Sequence, residues 1–190
     1  TEFVLPQAVV PFLPNLILCI TLSTSYLILL YAHGLRLSKM LIAAFPIFMG
    51  FPTWYFLSEF YANTLAVSIG LVLSSTALFL FSDSIKEIIN NNWKLKSFGT
   101  LFFVKVIFIS FSIGCYQSFL FLFLSMGLGV IITNIKDKHH QLVTWRGVVT
   151  LLGYLFFLVT CSFILYCGVD FAFKEMYGVR GTYIAGFNNV

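Results

Sequence analysis

Apolar residues run almost unbroken through six stretches of this chain, separated by short polar or basic segments. A helix rising about 1.5 Å per residue needs roughly 20 residues to cross a hydrocarbon layer about 30 Å thick. On that measure the sequence predicts spans at about 10–32, 40–57, 62–81, 100–114, 118–133 and 147–169. The fourth and fifth are short, which a different tilt or a border of interfacial Tyr and Phe accommodates. The runs are continuous rather than alternating, and too long for barrel strands. The expected fold class is therefore all-α, a polytopic membrane protein with about six transmembrane helices forming one domain over 1–190.

Composition sharpens this picture. The chain is 59% hydrophobic and only 9% charged, against about 25% charged in a soluble domain. With 23 phenylalanines and a mean hydropathy of +0.96, a soluble single-domain enzyme is excluded. No run of five like charges and no basic stripe is present, so nucleic acid is not an expected partner. The four cysteines (Cys19, Cys115, Cys161, Cys167) show no CxxC spacing and fit neither a zinc site nor a disulfide framework.

The positions of the basic residues give an orientation. Arg36 and Lys39 follow the first span, Lys86, Lys94 and Lys96 the third, and Lys136, Lys138 and Arg146 lie between the fifth and sixth. The intervening turns, Ser58 to Tyr61 and Cys115 to Gln117, carry no Lys or Arg, and only Lys174 and Arg180 lie on their side. By the positive-inside rule, loops 33–39, 82–99 and 134–146 are cytoplasmic. Both ends of the chain then fall outside the cytoplasm. Because residue 1 is Thr and no signal-like segment precedes the first span, the chain is expected to be a fragment with at least one span before Thr1.

Several residues are candidates for chemistry, each beside a plainer reading. Over 83–96, Ser84 and Glu87 have capping-box spacing, and Ile85, Ile88, Ile89 and Trp93 share a helical face. This predicts an interfacial helix that either orients the chain or offers Lys94 and Lys96 to a lipid phosphate. Pro46 and Pro52, with Gly50 between them, kink the second span or open carbonyls toward a polar cavity. Ser110 and Gly114, then Ser125 and Gly129, have the spacing that lets helices approach closely.

Lys105 is the ionisable residue inside a span. It either snorkels to the interface or meets a lipid phosphate or a buried acid. On the external rim, Glu59 lies between Tyr55 and Tyr61, where a carboxylate beside aromatic rings suits a sugar, or simply belongs to an aromatic belt. Tyr116 and Gln117 in the next external turn offer hydrogen bonds to a substrate or to their own backbone. His139 and His140 are adjacent and cannot share a helix face as a metal pair would. Cys115 and Cys167 both fall near external span ends, where they either pair in an oxidising compartment or stay thiols.

Tyr116-Gln117-Ser118-Phe119 opens a span after a Ser/Gly-rich one, and Phe45-Pro46 lies in a span leading to Phe60-Tyr61-Ala62. With the order of short external turns and longer basic loops, these features resemble the membrane glucosyltransferases that modify O-antigen and convert serotype. The resemblance covers most of the chain. It implies a GT-C-like enzyme of the bacterial inner membrane that moves glucose from a polyprenyl-phosphate carrier to a surface polysaccharide on the periplasmic face. The implied partners are the lipid-linked sugar donor, the polysaccharide acceptor and the membrane. No cofactor is expected, and metal dependence is left open.

The family's catalytic acids are expected in the first external loop after an N-terminal span. Here Glu2 is the only acid before the first span, so no catalytic residue is assigned. Glu59, Tyr61, Tyr116 and Gln117 are the substrate-groove candidates; Lys105, Lys94 and Lys96 are the lipid-phosphate candidates. The alternatives are a transporter or flippase of lipid-linked sugar, or a non-catalytic membrane scaffold.

Overall fold

The computed structural model describes residues 12–49, 61–90, 99–137 and 145–178. Among them six helices and no strand follow in chain order: α1 (Phe12–Ala32), α2 (Lys39–Met49), α3 (Tyr61–Asn90), α4 (Thr100–Cys115), α5 (Phe119–Asp137) and α6 (Trp145–Tyr177). This all-α membrane architecture follows from the chain's apolarity, since in lipid the backbone N–H and C=O groups must pair internally and a helix does this within one segment. Three helices are long and apolar enough to cross a membrane, over Leu13–Ala32, Thr64–Ile89 and Gly147–Tyr177. Lys39–Met49, Thr100–Cys115 and Phe119–Ile135 are shorter apolar helices. The C-terminal part of the span expected at 40–57, with Gly50 and Pro52, lies outside the described residues.

α3 is the hub, packed against α1, α4 and α5, while α6 closes on α4 and α5 and α2 touches α1. The junction of α1 with α3 is sealed by polar groups. α1 ends at Gly34 (φ 70°), whose left-handed backbone lets Leu35 N–H reach Leu30 O at 2.9 Å and Gly34 N–H reach Tyr31 O at 3.0 Å. Ser82 of α3 then donates to the Ala32 carbonyl at 2.5 Å, so a buried helix end is satisfied by the neighbouring helix.

The separate interfacial helix expected over 83–96 does not form among its described residues. α3 runs without a break to Asn90, and Ser84 is not a cap, because its hydroxyl donates to Leu80 O at 3.0 Å one turn back. Ile85, Ile88 and Ile89 are buried in one cluster with Ala32, Phe102 and Val106. Their helical periodicity is present in the structure, but neighbouring helices cover that face rather than lipid headgroups. Trp93, Lys94 and Lys96 lie outside the described residues.

Lys105 does not snorkel. It is 0% exposed, on the α4 face that also carries Phe102, Val106 and Ile109, and α3 and α6 enclose it before its stem can reach the interface. Its Nζ donates to Ser84 Oγ on α3 at 2.5 Å and to Tyr154 OH on α6 at 2.7 Å. The Tyr154 ring centroid is 5.3 Å from Nζ, with the hydroxyl nearer, so the ammonium meets the phenol oxygen rather than the ring face. Phe81 stacks on Tyr154 at 5.7 Å, and Phe102 on Phe157 at 5.7 Å. Removing an ammonium from water costs several kcal/mol, and each hydrogen bond to a charged group returns about 1.5–3 kcal/mol. The two hydroxyls thus offset much of that cost while joining three helices.

Small residues set the other close approaches. Gly70 on α3 accepts a bond from Ser112 Oγ on α4 at 2.8 Å. A Cβ there would lie 2.6 Å from Phe119 Cε2 and 2.9 Å from Cys115 Cβ. Of the small pairs expected from spacing, Ser110 is buried, Gly114 faces Tyr166 and Gly129 faces His33. Ser125 is exposed and bonds Leu122 O on its own helix.

Two stability outcomes follow, both read as thermal unfolding of the protein in detergent. Gly70→Val destabilises by about 1–3 kcal/mol through overpacking, whereas Gly153→Ala, which meets nothing within 4 Å, does not. Ser84→Ala and Tyr154→Phe each cost about 1.5–3 kcal/mol by stranding the ammonium. Lys105→Met costs less than either, since it removes the charge and keeps the volume.

Candidate functional site

Away from the Lys105 cluster, at the opposite end of α4, the chain makes a tight exposed turn. Tyr116 leaves the helix with extended backbone (φ −161°) while its N–H still bonds Ser112 O at 3.1 Å. The carbonyls of Tyr116, Gln117 and Ser118 then accept the first N–H groups of α5, at 3.0–3.1 Å. Phe119 is buried against Leu18, Leu22, Val67 and Leu71 and anchors the start of α5. With the turn's backbone held by these bonds and its rear by Phe119 and Gly70, the side chains of Tyr116, Gln117 and Ser118 are left exposed.

Those three residues, with Gly114, Cys115 and Tyr166, line a polar pocket of about 340 Å³. Gln117 Nε2 donates to Tyr166 OH across it at 3.5 Å, a long bond that a ligand hydroxyl can replace. Gly114 and Tyr166 also border a second cavity, a trough of about 480 Å³ between α4 and α6. Its walls are Ile107 and Phe111 on one side and Leu165, Val169 and Phe173 on the other, with Ser110 and Asp170 as polar members. Both volumes fall in the range of small-molecule sites. Gly114 and Tyr166 belong to both linings, and a Cβ at Gly114 would be in ordinary contact, 3.8 Å from the Tyr166 ring.

Of the residues singled out from sequence, Tyr116 and Gln117 are brought together here. Tyr61 is the first residue of α3, but its side chain lies outside the described residues, as do Glu59, Lys94 and Lys96. Lys105 is about 15 Å of helix rise from Cys115 and takes no part in either cavity. α2 continues through Pro46, and Tyr26 OH bonds the Leu41 carbonyl beside the weakened turn at 2.7 Å. His139 and His140 lie outside the described residues. The four cysteines are free thiols, so Cys115 and Cys167 do not pair. Among the described residues no three His, Cys, Asp or Glu side chains come together as a metal site.

Tyr166 and Asp170 escaped the sequence reading. Asp170 Oδ2 accepts a bond from Lys174 Nζ at 2.6 Å, in the favourable order with the acid four residues before the base. The signal was available: Tyr166, Asp170 and Lys174 recur every four residues just where the last uncharged run ends. Counting Lys174 only as a topological charge hid it.

No curated protein and no solved structure matches the chain. A family model described as "Glucosyl transferase GtrII" matches residues 1–189, which agrees with the resemblance seen in the Tyr116-Gln117-Ser118-Phe119 segment. A match over nearly the whole of this helical membrane protein means that the chain belongs to the glucosyl transferase GtrII family.

Proposed function

We propose that the protein transfers a glucosyl residue from a polyprenyl-phosphate carrier to O-antigen or a related surface polysaccharide on the periplasmic face of the inner membrane, as a GT-C-like enzyme. The observation that carries this reading is the junction of the apolar trough with the polar pocket at Gly114 and Tyr166. A lipid-linked sugar has the same two parts. Its isoprenoid chain suits a trough walled by Ile107, Phe111, Leu165, Val169 and Phe173, and its sugar phosphate suits the hydroxyls and amide of Tyr116, Gln117, Ser118 and Tyr166. The acceptor hydroxyl oxygen attacks the anomeric carbon as the bond from that carbon to the phosphate oxygen breaks; the electron pair leaves with the phosphate, and the hydroxyl proton passes to the released phosphate or to water.

The external assignment rests on the basic loops at the other end of the bundle. Glu59 and Tyr61, at or just before the start of α3, are candidates for the acceptor side. Lys105 is not one for the phosphate, because its ammonium is enclosed by Ser84 and Tyr154.

Membrane vesicles containing the full-length protein, given polyprenyl-phosphate glucose labelled in the sugar, are expected to move label into polysaccharide. Label that crosses the bilayer while still attached to lipid, with none in polysaccharide, would mean a flippase instead. Gly114→Trp is expected to lower transfer about tenfold or more by blocking the junction, while Gly114→Ala stays near wild type. Gln117→Ala is expected to cost about tenfold, the equivalent of one hydrogen bond.

A further inference from the structure

Asp170 is the described carboxylate that lines the trough, and its two oxygens are in different situations. Oδ2 is held by Lys174 Nζ at 2.6 Å. Oδ1 has no hydrogen bond to protein among the described residues. The side chain is 41% exposed, so Oδ1 is open to a ligand.

α6 explains why a carboxylate stands here. From Gly147 to Val169 the helix carries no charge, and Asp170 is the first charged residue after that run. The uncharged stretch rises about 34 Å, enough to cross the hydrocarbon. Asp170 therefore stands where the trough leaves lipid and meets polar surroundings. Four residues earlier on the same face is Tyr166, whose hydroxyl lies within reach of Gln117. The mouth of the trough thus offers a carboxylate oxygen and a phenol one helical turn apart, with the Gln117 carboxamide of the adjoining pocket beside the phenol.

That set matches the chemistry of a sugar ring, which presents several hydroxyl donors at once. A carboxylate that gives one oxygen to an ammonium is held in place by that charge-assisted bond. It remains a good hydrogen-bond acceptor through the other oxygen. We propose that Asp170 is a saccharide-binding residue whose Oδ1 accepts hydrogen bonds from sugar hydroxyls at the mouth of the α4–α6 trough, with Lys174 as the positioning residue that holds the carboxylate in place. This rests on the glucosyl-transfer reading above and adds to it the residue that grips the sugar. The hydroxyls belong either to the glucosyl unit of the donor or to the acceptor saccharide.

The test is steady-state kinetics of the full-length protein in proteoliposomes, varying in turn polyprenyl-phosphate glucose and the polysaccharide acceptor. Asp170→Ala is expected to raise KM for one of the two substrates about 10–100-fold, the effect of losing a charge-assisted hydrogen bond, with kcat at saturation within a few-fold of wild type. The substrate whose KM rises identifies the source of the hydroxyls. Lys174→Ala is expected to raise the same KM by a smaller factor, and Lys174→Arg to restore it.

A collapse of kcat in Asp170→Ala with both KM values unchanged would make Asp170 a proton acceptor and overturn the proposal. So would unchanged kinetics. Wild-type protein that moves no glucose would overturn the transferase reading itself, a result distinct from either. Asp170→Asn, with nearly the same shape, is expected to unfold at the wild-type temperature and to raise the same KM, which separates loss of binding from loss of fold.

Discussion

The ammonium of Lys105 sits where charge is costly, and three helices are arranged so that two hydroxyls meet it. Ser84 on α3 and Tyr154 on α6 can reach it together only in one register of those helices against α4. Apolar packing alone would tolerate sliding, because one Leu or Phe against another is nearly as good a turn away, and lipid tails compete on equal terms. A buried cation does not tolerate it, since a slip of one turn would leave the charge among Phe81, Phe102 and Ile109. The aromatic stack of Phe81 on Tyr154 reinforces the same register.

This has a bearing on the trough. α4 and α6 are drawn together near Lys105, where Phe102 stacks on Phe157. Farther along, Ser110 and Gly114 stand opposite Leu165 and Tyr166, and the small side chains leave space instead of filling it. The same pair of helices is closed at one end and parted at the other. The turn at Cys115–Ser118 is fixed independently, by Gly70 beneath it and Phe119 behind it. A polar rim beside an open apolar slot is the consequence, and both depend in part on residues that line neither, such as Lys105 and Gly70.

Much of this was legible in the sequence. Uninterrupted apolar runs specify helices in lipid because the backbone has no other way to pair, so the all-α class followed directly. The polar character of Tyr116 and Gln117 was visible because they interrupt two such runs. Three features were hidden for physical reasons. Ile85, Ile88 and Ile89 have a periodicity that reports one apolar face but not what covers it, so a buried helix end read as an interfacial one. Lys105 has a stem long enough to reach water, and only the positions of α3 and α6 show that it is enclosed. Asp170 joins the site through the third dimension, since residues 114 and 166 are far apart in sequence. Family membership, by contrast, was foreshadowed by a four-residue segment and the order of the loops.

The length of α6 ties the protein to its surroundings in a further way. Its 33 residues rise about 50 Å, well beyond the hydrocarbon layer, but the stretch without charge is close to that layer's thickness. Asp170 and Lys174 therefore act as a depth gauge. A thinner bilayer would leave the uncharged stretch longer than the hydrocarbon and make the helix tilt to keep it covered, changing the angle between α6 and α4 along the slot. Bilayer thickness would then act on the width of that slot, so that lipid composition would reach it without any lipid binding there.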